Sequence, residues 1–132
     1  DDDVSAPGRL SAQVAHLLAS DGHDASLLNR IRLAWPSRNL FAISNSRPRG
    51  WEPTMVARRH LMPAYEPLPR GSDTILINKL RVTTMDDPSL YTYLVHDGNT
   101  WDAPHFEYIF SIADVFPPQG ALAMEIEKAL SS

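Results

Sequence analysis

The chain has 132 residues, 43% of them hydrophobic and 21% charged, proportions that suit one globular domain and exclude a disordered chain. It holds no cysteine, which excludes disulfides, thiolate metal sites and thiol catalysis. No apolar run approaches the roughly 20 residues of a membrane-spanning helix, and the net charge of −4 counts mildly against general nucleic-acid binding.

In chain order, the opening Asp1-Asp2-Asp3 without Met reads as a processed or trimmed form. Leu10, Val14, Leu17 and Leu18 then make one apolar stripe at helical spacing, with Ser5 as a cap, Pro7 in the first turn and Gly22 past the end. A second helix is expected from Asp24, burying Leu27, Leu28, Ile31 and Trp35 and stopped by Pro36. Residues 40–44 read as a short strand. Residues 36–71 hold six of the eleven prolines and read as mostly irregular, with one short element at 54–62. Strands follow at 74–84, 90–96 and 105–112, the last with Phe106, Tyr108, Phe110 and Ile112 as its core face. Pro117-Pro118 ends the sheet region. A final helix at 121–130 carries Leu122, Ile126, Ala129 and Leu130 as its stripe.

This order predicts a single α+β domain over residues 1–132. It has an N-terminal helix pair, a mostly antiparallel sheet of about four strands, a C-terminal helix, and an irregular Pro/Arg-rich arm at about 45–71.

Charge is unevenly placed. Residues 1–29 carry −4, residues 30–70 carry +6 from eight arginines against Glu52 and Glu66, and residues 71–132 carry −6. Ten of the twelve basic residues are arginine, whose planar fork suits carboxylates and phosphates at interfaces. Such a basic middle is explained first by base composition together with pairing to its own acidic flanks, then by a protein interface, and last by phosphate or nucleic acid.

Three constellations carry candidate chemistry. The arm holds Arg47, Arg49, Trp51, Arg58 and Arg59, and Arg and Trp are the side chains most enriched at interface hot spots. It either seats on a partner, with Trp51 as anchor, or folds inward with Trp51 in the core. His96, Asp97, Asp102, His105 and Glu107 are the densest group of acid–base and metal-ligating types. On a strand His105 and Glu107 would share a face about 7 Å apart. His96 would join them only if residues 97–104 form one long loop rather than a tight turn at Asp97-Gly98 or Gly98-Asn99. Finally, a helix pair bearing Asn29, Arg30 and Arg32 resembles a helix-turn-helix in outline only. No Gly-rich dinucleotide loop, nucleophile elbow or H-E-x-x-H helix occurs.

The leading expectation is a small non-catalytic protein–protein interaction protein, a subunit or accessory protein of a larger assembly. It would bind another protein chain through Arg47, Arg49, Trp51, Arg58 and Arg59, with no cofactor and no metal. The alternative is a small enzyme or ligand-binding domain with His105 as general base and Glu107 orienting it. A metal, were one held, would take His96, His105 and Glu107. A nucleic-acid-binding helix-turn-helix variant ranks third. Compartment and oligomeric state are left open.

Overall fold

The computed structural model describes residues 3–58, 80–96 and 103–130. In chain order these form β1 (Val4–Ser5), α1 (Arg9–Ala19), β2 (Ala25–Leu28), β3 (Arg32–Trp35), β4 (Leu40–Ile43), β5 (Val56–Ala57), β6 (Val82–Met85), β7 (Tyr91–Leu94), α2 (Ala103–Ser111), β8 (Asp114–Phe116) and α3 (Ala121–Leu130). The class is α+β as expected, but the arrangement differs. Among the described residues there are three α-helices and two mixed sheets, one of five strands and one of three.

The five-stranded sheet runs β1-β7-β3-β4-β8, and the smaller one runs β5-β2-β6. Each contains one parallel pair, β3 with β7 and β2 with β6, and its other pairs are antiparallel. The chain therefore passes from the small sheet to the large one twice in the same sense, through β2–β3 and through β6–β7.

The expected N-terminal helix pair is half wrong. Its first member is α1, but residues 25–28 and 32–35 are strands rather than a second helix. The physical reason is burial on both sides: every residue of β2 and all but Arg32 of β3 is buried. A strand covered on both faces shows a continuous apolar run, which spacing does not separate from a buried helix. The helix-turn-helix outline falls with it, since Asn29, Arg30 and Arg32 stand on or beside strands.

The expected strand at 105–112 is also corrected, because residues 103–111 form α2. Phe106, Ile109 and Phe110 are its buried side, whereas Tyr108 and Ile112, assigned to the core by alternation, face outward. The segment satisfies both periods, and packing decides between them. Phe106 and Phe110 lie 6.2 and 5.9 Å from the Trp35 ring, and Phe106 lies 5.7 Å from Tyr93. Pro104 suits the first turn, where its missing N–H leaves no hydrogen bond unmade.

The large sheet separates two cores. Leu33, Trp35 and Ala42 point to α2, joining Leu28, Ile31, Trp51, Tyr91, Phe106, Ile109 and Phe110. Ala34 and Phe41, on the alternate positions, point to α3 and meet Ala123 and Ile126. The 40–44 strand and the 121–130 helix are found as β4 and α3. Of the 74–84 strand only its end lies among the described residues, as part of β6; residues 74–79 lie outside them.

At the edge of the large sheet, the Asp3 carboxylate accepts from the Tyr91 hydroxyl and from the Leu94 amide, tying the N-terminal strand to β7. Burial and the nearby Asp3 charge push the Tyr91 phenol well above its ordinary range.

Candidate partner-binding face

The arm, over its described part, folds inward. Trp51 is 4% exposed and belongs to the core beneath α2. Its amide donates to the Leu28 carbonyl at 2.8 Å and the Arg47 amide donates to Asn29 at 3.0 Å, so residues 47–51 lie against the end of β2. Gly50 makes this approach possible. It has φ of 81°, and a Cβ there would lie 2.3 Å from the Leu27 Cβ. Thr54 completes the attachment: its hydroxyl donates to the Trp51 carbonyl at 2.6 Å and accepts from the Leu28 amide at 2.9 Å.

The arginines of the arm follow the same course. Arg49 donates to the Leu80 carbonyl at 2.9 Å, and Arg58 donates to the carbonyls of His23 at 3.2 Å and Leu17 at 3.4 Å. Arg47 stacks on Trp51 with its guanidinium carbon 3.4 Å from the ring centre. Arg59 lies outside the described residues. Trp51 thus serves the chain's own core rather than standing out as an anchor for a partner.

Three other arginines of the basic middle, Arg30, Arg32 and Arg38, are met by the acidic C-terminal flank. Arg30 makes a two-armed bridge to Asp86 at 2.8 and 3.2 Å. Arg32 reaches Glu125 at 2.6 Å. Arg38 covers the Trp35 ring at 3.9 Å and reaches Glu107 at 2.9 Å. Segments of opposite charge that are far apart in sequence are side by side in the fold.

The histidine constellation loses its geometric premise. His105 and Glu107 are two positions apart on a helix, roughly 200° around its axis, and do not share a face. Glu107 pairs with Arg38, and the His105 ring lies edge-on to Phe106 at 5.4 Å. His96 follows β7, while Asp97 and Asp102 lie outside the described residues. Among the described residues no three His, Asp or Glu side chains gather as a metal site.

Three exposed apolar side chains stand on α2, just past its end and on β8. Tyr108 is 63% exposed, Ile112 stands one turn further on, and Val115 of β8 is also exposed. Val115 pairs with Ala42 and so shares the sheet face that α2 covers. Arg47 lies within electrostatic range of Tyr108. Burial against Trp51 lowers its guanidinium pKa from the ordinary value, while Glu52 and Tyr108 act in the opposite direction.

Sequence reasoning placed Tyr108 and Ile112 in a strand core. A helical reading of 103–112 was the available signal, because it sets them opposite Phe106, Ile109 and Phe110. Comparison with protein families, curated proteins and solved structures yields no match to this chain.

Proposed function

We propose that this chain is a small non-catalytic protein-interaction domain whose partner protein seats on the outer side of α2. Tyr108, Ile112 and Val115 supply the apolar contact, and Arg47 supplies a stacked charge at its border. The observation that carries the reading is the exposure of these three apolar side chains on one side of the large sheet, next to an arginine held in place by Trp51.

Tyr and Arg are enriched among residues that dominate binding energy, and a pre-stacked arginine has already given up part of its side-chain freedom. The open edge of β8 adds little by itself. The strand has three residues, carries Asp114 and stops at Pro117-Pro118, features that blunt an edge against strand exchange. Side-chain contact therefore dominates. This moves the interface expected at Arg47, Arg49, Trp51, Arg58 and Arg59 from the arm as a whole to Arg47, which lies within electrostatic range of Tyr108.

The test is a photo-crosslinking residue placed at Tyr108 and, as control, at the exposed Gln119, followed by native mass spectrometry of protein isolated from its source. A discrete second chain captured at position 108 and not at 119 is the expected result. Equal capture at both positions, or none at 108, would sink the proposal.

A further inference from the structure

Arg47 stands apart from the other described arginines. Arg30, Arg32, Arg38 and Arg81 each meet a carboxylate. Arg9 donates to the Ser5 hydroxyl and the Gln13 amide oxygen, and Arg49 and Arg58 donate to main-chain carbonyls. Among the described residues the Arg47 guanidinium makes no hydrogen bond and no ion pair; its contact is the Trp51 ring, whose centre lies 3.4 Å from its central carbon. Burial lowers its pKa against the opposing electrostatic effect of Glu52 and Tyr108. Arg47 is thus a cation drawn partly out of water without a bonded counter-ion. Such a group is unfavourable as it stands, and a fixed acceptor that reaches it relieves the penalty.

The stack also decides which atoms can act. It covers one π face of the guanidinium, which carries no donor, and leaves the in-plane N–H groups as the unsatisfied ones. Parallel N–H donors in one plane match the two oxygens of a carboxylate. Trp51 is itself fixed, being 4% exposed with its indole N–H donating to the Asn45 carbonyl at 3.4 Å. The fork is therefore held in place before a partner arrives, and less side-chain freedom is lost on binding.

We infer that Arg47 receives a carboxylate of the partner protein, an Asp or Glu side chain close to an apolar residue that meets Tyr108. This rests on the reading that a partner protein seats on the outer side of α2. A carboxylate suits Arg47 better than a phosphate does. One guanidinium matches one negative charge; a phosphate monoester carries about two, and Glu52 lies within electrostatic range to repel the excess. The net charge of −4 gives an acidic partner no long-range attraction, so recognition is a contact effect.

A phage-displayed library of random peptides, selected on the immobilised protein and followed by fluorescence polarisation of the recovered peptides, tests it. Peptides with an Asp or Glu beside an apolar residue are expected. Exchanging that Glu for Gln in the peptide should weaken binding about tenfold or more, the scale of a close charge pair, and phosphoserine in its place should not restore it. The exchange reads the contact without altering the protein. Arg47→Gln, with its fold checked by circular dichroism, should cause the same loss with the acidic peptide and no further loss with the Gln peptide. Arg38→Gln, which removes an arginine that already has Glu107, should have no effect. A selection without acidic peptides, acidic peptides indifferent to Arg47→Gln, or tighter binding of the phosphoserine peptide overturns the inference. Tyr108→Ser separates it from the reading beneath it. An acidic peptide that needs Arg47 but tolerates Tyr108→Ser sinks the α2 face and leaves the carboxylate assignment standing. Apolar peptides that need Tyr108 and tolerate Arg47→Gln keep the face and overturn the carboxylate.

Discussion

Trp51 and Asp24 show how the same residue types change meaning with their surroundings. Trp51 resembles an interface anchor in sequence, but its ring lies under Arg47 and against the core of α2. Trp51→Ala is therefore expected to lower the unfolding free energy by about 3–5 kcal/mol, the usual cost of emptying a large aromatic site. Urea denaturation measures it, and a loss under about 1 kcal/mol would place the ring outside the core. Asp24 accepts from the Arg81 amide at 2.8 Å and lies 3.5 Å from the Arg81 guanidinium. The backbone hydrogen bond from Arg81, aided by the charges of Arg81 and Arg58, holds its carboxyl below the ordinary value of 3.8 against the opposing effect of burial. A carboxyl lowered in the folded state stabilises above its unfolded pKa and loses that contribution as pH falls through the folded one. Asp24→Asn should thus melt below the wild type at pH 7, with the gap closing below 3.8. A gap that stays constant down to pH 3 would show that charge is not its origin.

The helix α1 and the strand pair β2–β3 illustrate what decides an element. In α1 the periodic stripe correctly marks a helix, but of its four residues only Leu17 lies on the buried side. That side is chosen by Gln13, whose amide satisfies two strand and turn carbonyls at once. Gln13→Ala would leave both carbonyls short of a donor in a buried place, costing about 1–3 kcal/mol. Hydrogen exchange should show the loss concentrated in the amides of α1 and the 52–54 turn; uniform loosening of the whole chain would contradict the attachment. In β2 and β3 the apolar residues run on without a period because the strands are covered from both sides. For α2 two periods coexist, and the Trp35 and Tyr93 rings settle the choice by accepting Phe106 and Phe110.

Across the molecule, the charge pattern becomes a set of internal bridges. Arg30, Arg32 and Arg38 of the basic middle meet Asp86, Glu125 and Glu107 of the acidic flank. At least one member of each pair is well exposed, so each contributes little, in the range of about 0–1 kcal/mol. Raising salt from about 0.05 M to about 0.5 M should change the unfolding free energy by only about 1 kcal/mol, as chemical denaturation at both concentrations would reveal. Arginines held this way also have little left for phosphates. The expected outcome of a gel-shift at about 50 mM salt is no retardation of DNA or RNA, where a free basic face would give strong salt-dependent binding.

Composition and spacing were enough to read an α+β domain, the first and last helices, the strands β4 and β7, and the excess of charge that the fold cancels. These are local or summed properties, carried by a stripe of leucines, a short β-branched or aromatic run, or a count of arginines. The second expected helix, the supposed strand at 105–112 and the His105–Glu107 pairing failed for one shared reason: each depended on which neighbours a side chain would meet. Alternation set Tyr108 and Ile112 inside, whereas the rings beneath α2 turned them out. The inward course of the arm rests on Gly50 passing close to Leu27, and the orientation of α1 rests on carbonyls of Ser26 and Thr54. Periodicity reports how a segment coils, while burial is a contest among all segments for the same apolar space, resolved only when they pack.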